Sequence, residues 1–162
     1  MKLLARTIVR LLTKQQKTLA LAESCTGGFI ANQITNVPGA SRIFLGGIIS
    51  YSNRAKQKFL GVRAQTLARH GAVSRQVASE MAKGARKQFG ADFAIAVTGI
   101  AGPSGGSRSK PTGTVFIALA SSSGIVVERK LNRFTRDKFK QVTARQALIF
   151  LGRDVALRRP RP

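Results

Sequence analysis

Thr18-Leu19-Ala20-Leu21-Ala22-Glu23-Ser24-Cys25-Thr26-Gly27-Gly28-Phe29-Ile30-Ala31-Asn32-Gln33-Ile34 is the stretch whose reading decides the fold. Residues 18–22 form an apolar run of strand length, and residues 29–34 leave it with helical character. Between them lies a corner of small residues. Glycine lets the chain bend sharply and approach a ligand closely. The free N–H groups of a helix start can bind an anion or an oxyanion. Ser24 and Thr26 place hydroxyls at the same corner. There is no Gly-Lys-Ser/Thr for a Walker loop and no Gly-x-Gly-x-x-Gly for a dinucleotide turn. Taken alone, the corner is equally well read as an N-cap and turn without chemistry.

Outward from the corner, residues 28–35 are read as a helix. Asn36-Val37-Pro38-Gly39-Ala40-Ser41 is a turn by composition. Residues 43–50 are a second strand, with Gly46-Gly47 marking a bulge or a close approach. Tyr51-Ser52-Asn53 caps a helix in which Lys56 lies about one turn from the start. From there it can point back at a site above the strand ends, although lysines are usually solvated. Residues 63–69 are a short helix, and Ser74 caps a longer one over 75–89 that Gly90 stops. Residues 92–97 are the next buried strand. They feed a Gly-rich loop over 98–111 that carries hydroxyls, Arg108 and Lys110. Open α/β sheets bind ligands at strand C-terminal ends, and such a loop with Lys110 suits a phosphate. Residues 113–120 and 125–131 form an antiparallel hairpin across Ser121-Ser122-Ser123-Gly124. Residues 136–151 are the last helix, and 158–162 a basic, disordered tail.

Upstream, residues 1–16 are an amphipathic helix with an apolar stripe of Leu3, Leu4, Ile8, Leu11 and Leu12. Lys2, Arg6, Arg10, Lys14 and Lys17 form a basic stripe on it, and no acid precedes Glu23. A transit peptide or a membrane-surface helix is conceivable from that pattern. The first helix of the fold is preferred, because it runs into the first strand without a linker. The expected architecture is a single three-layer αβα domain over 1–155, with a mixed, mostly parallel sheet, a C-terminal antiparallel hairpin and a terminal helix, followed by a tail over 156–162.

Composition narrows the chemistry. The chain has 162 residues, 28 Lys and Arg, six Asp and Glu, one His and one Cys, for a formal charge of +22. That charge favours anionic partners and sequence-independent nucleic-acid binding at low salt, without specifying a fold. No nucleic-acid-reading motif accompanies it. A lone cysteine excludes an internal disulfide and a cysteine zinc cluster, and suggests a reducing, cytoplasmic compartment. No apolar run reaches membrane-span length. With six acids and one His, carboxylate pairs, metal loops and a Ser-His-Asp triad are hard to assemble. His70 sits in a turn-like setting that suits a structural role. A serine activated by a desolvated lysine is the covalent mechanism that this composition most readily permits.

Five motifs then occur in order: Ala22-Glu23-Ser24-Cys25-Thr26-Gly27-Gly28; Tyr51-Ser52-Asn53-x-x-Lys56 with Leu60-Gly61-Val62; His70-Gly71-Ala72-Val73-Ser74; Val97-Thr98-Gly99-Ile100-Ala101-Gly102-Pro103; and Lys110-Pro111-Thr112-Gly113-Thr114-Val115. In order and spacing they resemble the CinA carboxy-terminal domain family, the nicotinamide-nucleotide amidases once named competence-damage proteins. The resemblance covers residues 3–151. It implies an amidohydrolase that converts nicotinamide mononucleotide to nicotinic acid mononucleotide and ammonia, without metal or cofactor, as a homodimer. Carried over by position, Ser24 is the expected nucleophile, Lys56 its base, and Tyr51 a residue lining the site. Thr26, Gly27, Gly28, Thr98, Gly99, Gly102, Gly105, Gly106 and Lys110 are the expected substrate contacts. The N–H groups near Gly27-Gly28 are the expected oxyanion donors.

The chain departs from the family pattern at Ser104, at Ser109-Lys110-Pro111-Thr112-Gly113 and at Thr135-Arg136-Asp137-Lys138. At the last of these, Arg136 or Lys138 takes the place of the family's turn arginine, and Arg136 joins the expected substrate contacts. The alternative expectation is a family member that has lost catalysis and binds nucleic acid or another anionic partner through its charge.

Overall fold

The computed structural model describes residues 1–157. The elements in chain order are α1 (Lys2–Lys14), β1 (Leu19–Glu23), α2 (Phe29–Thr35), a short 3-10 turn (Ala40–Arg42), β2 (Phe44–Ile49), α3 (Asn53–Leu60), α4 (Ala64–His70), α5 (Arg75–Phe89), β3 (Phe93–Gly99), β4 (Thr114–Ser121), β5 (Gly124–Leu131) and α6 (Arg136–Leu157). The five strands form one sheet in the order β2-β1-β3-β4-β5. β1 pairs in parallel with β2 and β3, whereas β3–β4 and β4–β5 are antiparallel. The sheet is therefore mixed, parallel on the side that carries the corner and antiparallel in the C-terminal part.

Period-2 alternation explains the three layers. Leu19, Leu21, Ile95, Val97, Val115, Ile117 and Leu119 face one side and pack with α1, α2 and α6 through Ile8, Leu12, Ile30, Ile34, Phe139 and Leu148. Ala20, Ala22, Ala94, Ala96, Ala118 and Ala120 face the other side and pack with Leu60, Leu67, Val77, Met81 and Ala85 of α3, α4 and α5. The alanines hold that layer close to the sheet. The apolar side of α1, comprising Ala5, Ile8, Val9 and Leu12, is buried, so α1 is an integral helix of the fold.

The helix punctuation follows the expected chemistry. Ser52 and Ser74 accept the N–H groups of Ala55 and Val77 at the starts of α3 and α5. Gly61 and Gly90 end those helices in left-handed conformation. Gly46 has φ +145° and abuts the Phe89 ring, and the register beside it shifts between Leu19 and Ala20. The close approach read from Gly46-Gly47 is thus real.

Several boundaries differ from the expected ones. α6 continues past Leu151 to Leu157, because Gly152 lies against Ile8 of α1 and extends the helix instead of ending it. The domain limit at 155 and the start of the tail at 156 accordingly fall inside a helix, while 158–162 lie outside the described residues. His70 closes α4 rather than sitting between helices, and the hairpin turn is shorter, since β4 keeps Ser121 and β5 starts at Gly124.

Candidate active site

The ends of the three parallel strands converge on one corner. The Ser24 N–H donates to the Val97 carbonyl at 3.1 Å, and the Ser50 N–H to the Glu23 carbonyl at 2.8 Å, so β1 is pinned between its neighbours where it stops. Gly27 (φ 62°) and Gly28 (φ 94°) then turn the chain into α2, a conformation that side-chain-bearing residues seldom adopt.

Lys56 reaches this corner from α3. Its Nζ lies 2.9 Å from Ser24 Oγ and donates to the Ser50 carbonyl at 2.7 Å. Lys56 is 1% exposed and Ser24 7%, so the pair is almost wholly withdrawn from water. Burial holds the Lys56 ammonium below the ordinary lysine value. A lysine in that state can carry a lone pair towards the serine hydroxyl, which the expected general base requires.

Around the pair is a cavity of about 260 Å³ lined by Ser24, Cys25, Tyr51, Asn53, Lys56, Ala72, Val73, Thr98, Gly99, Ala101, Gly102, Ser104 and Arg136. Among the described residues, Lys56 and Arg136 are the cations on this wall, and no acid lines it. Arg136, the first residue of α6, donates to the Gly102 carbonyl at 2.9 Å and to the Tyr51 hydroxyl at 2.5 Å. It thereby ties the Gly-rich loop to the β2–α3 corner. Lys138 does not line the cavity, so Arg136 is the residue of that turn placed at the site. Thr98 is buried with its hydroxyl donating to the Ala72 carbonyl at 2.8 Å, and its oxygen keeps acceptor capacity towards the cavity.

Several expected contacts lie elsewhere. The Thr26 hydroxyl is fully buried and donates to Glu23 Oε2 at 2.6 Å. The Gly28 N–H donates to the same oxygen, and the Gly27 N–H returns to the Ser24 carbonyl. The amides at Gly27-Gly28 are therefore already engaged, which leaves those of Cys25 and Thr26 as the turn's other donors. Gly105 and Gly106 lie off the cavity, Gly106 being packed against Thr112. Lys110 is turned to the His70 carbonyl at 2.6 Å, away from the site. Lys110, expected to meet a phosphate, does not line the cavity, and its ammonium is held by the α4–α5 connection.

Glu23 is the residue whose role the sequence did not disclose. It is 2% exposed, and its carboxylate accepts from the Thr26 hydroxyl and from the N–H groups of Gly28, Ile30 and Ala31. A buried charge is tolerated when it is saturated in this way. The orphan amides of a helix start supply the donors, and the dipole of α2 favours the charge. An acid directly at the end of an apolar strand was the available signal. Cys25 is buried, and desolvation, with Glu23 adding to it, pushes its thiol up to about 12, which suits a packed thiol rather than a nucleophile. Among the described residues no group of three His, Cys, Asp or Glu side chains is placed to hold a metal ion.

A buried serine–lysine pair at the C-terminal edge of a three-layer α/β sheet defines the class of domain. The chain belongs to the CinA C-terminal domain family, whose pattern matches residues 1–155. It is 51% identical over 146 residues to a CinA-like protein of Geobacter sulfurreducens, covering 90% of this chain and 35% of that one. It is 47% identical over 144 residues to a CinA-like protein of Thermotoga maritima, covering 89% and 34%. The chain thus spans about a third of the length of these curated relatives. Among solved structures, competence/damage inducible protein CihA from Agrobacterium tumefaciens superposes with TM-score 0.90 at 42% identity, covering 93% of this chain and 92% of that one. Competence damage-inducible protein A (ComA) from Klebsiella pneumoniae superposes with TM-score 0.93 at 35% identity and 96% coverage of both. Among the described residues, no helix is long and apolar enough to cross a membrane.

Proposed function

We propose that this chain is an amidohydrolase that converts nicotinamide mononucleotide to nicotinic acid mononucleotide and ammonia, with Ser24 as nucleophile and Lys56 as general base. The observation that carries the reading is the 2.9 Å contact between Lys56 Nζ and Ser24 Oγ inside a cavity large enough for a small ligand. Neutral Lys56 takes the Ser24 proton as Oγ bonds to the carboxamide carbon. The amide of Cys25, a residue of the cavity wall, is the turn's donor for the resulting oxyanion, worth roughly 3 kcal/mol. As the C–N bond breaks, Lys56 returns that proton to the departing nitrogen and ammonia leaves. Water then attacks the acyl-serine, Lys56 takes its proton, and Ser24 recovers it as the acid departs.

In this reading Arg136, on the cavity wall, meets the substrate's phosphate and Tyr51 orients it, supported by their hydrogen bond. Of the altered residues of the Gly-rich loop, Ser104 borders the same cavity and bears on substrate affinity. A homodimer belongs to the same reading, and light scattering should give twice the 17.4 kDa chain mass. The test is ammonia release from nicotinamide mononucleotide by wild type, Ser24→Ala and Lys56→Ala. Activity in the wild type alone supports the reading; equal activity in Ser24→Ala overturns it. Activity confined to another carboxamide would keep the pair and replace the substrate.

A further inference from the structure

The charged residues of α1 are all basic. Lys2, Arg6, Arg10 and Lys14 recur at every fourth residue, all four are exposed, and the helix contains no acid. None of the four takes part in an ion pair among the described residues, where the pairs are Lys17–Asp92, Arg63–Glu80 and Lys130–Glu128. Residues four apart are neighbours on a helix, so the stripe contains three consecutive like-charge pairs, each unfavourable. The folded helix therefore holds a row of cations without an internal counter-charge. At 1.5 Å per residue the row is about 18 Å long. That is about five base-pair steps of duplex at 3.4 Å each.

We infer that the exposed side of α1 is a docking surface for the phosphate backbone of nucleic acid, independent of base sequence. Counter-ion release, with no base reading, is the expected mode of binding for such a row. The fold argues against a membrane as occupant. A helix that lies on a bilayer needs a free apolar side. The apolar side of α1 is spent on the core, with Ala5, Ile8, Val9 and Leu12 no more than 5% exposed, and only Leu3 projects at 77%. α1 also lies in the helix layer opposite α3, α4 and α5. That arrangement supplies a control surface of equal charge: Lys58, Arg69, Lys83 and Lys87, which are exposed on that other layer.

The test is binding of wild-type protein to a random-sequence DNA duplex, measured by fluorescence anisotropy between about 50 and 200 mM salt. Two variants run beside it. One is Lys2→Gln, Arg6→Gln, Arg10→Gln and Lys14→Gln together; the other is Lys58→Gln, Arg69→Gln, Lys83→Gln and Lys87→Gln together. Far-UV circular dichroism confirms that each folds, and relief of like-charge repulsion should leave the α1 variant at least as helical as wild type. The slope of log K against log salt should flatten by about 3 to 4 in the α1 variant, at about 0.9 per phosphate contact, and by less than about 1 in the control. Equal flattening in both variants would overturn the proposal in favour of diffuse net charge. So would absence of duplex binding, or α1-dependent binding to phosphatidylserine vesicles in preference to duplex.

Discussion

Glu23 and Ser24 share a peptide bond yet serve opposite layers of the molecule. The Glu23 carboxylate is taken up by the start of α2, on the side of α1 and α6. The Ser24 hydroxyl meets Lys56 of α3, on the side of α5. Strand alternation produces this division, and it makes the carboxylate the anchor of the turn that presents the serine.

Glu23→Ala should therefore strip the acceptor from four donors at once. Each buried donor left unmatched costs about 1–3 kcal/mol. The expected loss of stability is at least ~3 kcal/mol by urea unfolding. Glu23→Gln, which keeps one acceptor oxygen, should lose less stability but should still lower kcat, because the turn that holds Ser24 is no longer drawn to α2.

Lys56 gives a pH dependence with a definite sign. Burial lowers its folded value, so the unfolded chain binds more protons between that value and about 10.4. Its burial cost is in full force below the folded value and fades as pH rises through this window. Wild type should accordingly gain stability relative to Lys56→Met between pH 7 and pH 10 in thermal melts. Over the same range, kcat/KM for ammonia release should climb to a plateau whose midpoint lies below that of a free lysine. Lys56→Met should reduce the rate by about 10²–10⁴.

Arg136 and Tyr51 should separate in kinetics. Arg136→Ala removes the cation from the cavity wall and frees the Gly102 carbonyl, so KM for a phosphorylated carboxamide should rise at least tenfold. Tyr51→Phe removes one exposed hydrogen bond, and its effect should stay within about 1.5 kcal/mol, roughly tenfold at most. An equal rise in KM for an uncharged nicotinamide substrate in Arg136→Ala would argue against phosphate recognition by this residue.

Gly84 is the most constrained small residue of α5. A Cβ there would lie 1.9 Å from the Leu60 carbonyl oxygen, where α3 crosses α5. Helix propensity alone would reward alanine by about 1 kcal/mol. The backbone clash reverses the sign, and Gly84→Ala should destabilise by more than ~3 kcal/mol in chemical denaturation.

Cys25 should be inert. With its thiol held near 12, native protein should resist a thiol-specific reagent at pH 8 and react on unfolding. Cys25→Ala should retain most of the activity.

The sequence discloses those parts of the molecule that local chemistry controls. The Ser52 and Ser74 caps, the Gly61 and Gly90 stops and the alternation of the buried strands are local, and they stand as read. The approach of Lys56 to Ser24 spans 32 positions; the place of Lys56 one turn into its helix pointed at the corner, and the ordered motifs named the pair. Direction was the part that could not be read. Thr26, Gly28 and Lys110 have the right chemistry for an anion, but each is claimed by a nearer partner: Glu23 for the first two and the His70 carbonyl for the third. Arg136 could not be told from Lys138 until the helix phase of α6 was known. The extension of α6 beyond residue 151 could not be read either, because the packing of Gly152 against a distant residue, here Ile8, has no local signature.

The saturation of Glu23 also has a consequence for redesign. At many turns of this shape one helix start both steadies the reacting group and clasps an anionic ligand. Here the acid has closed that start, and the remaining cation beyond Lys56 arrives from α6, a separate element. Under the proposed function, bond cleavage and charge selection are therefore modular. Exchanging Arg136 and its neighbours for neutral side chains offers a route to uncharged carboxamides that leaves β1, α2 and α3 untouched.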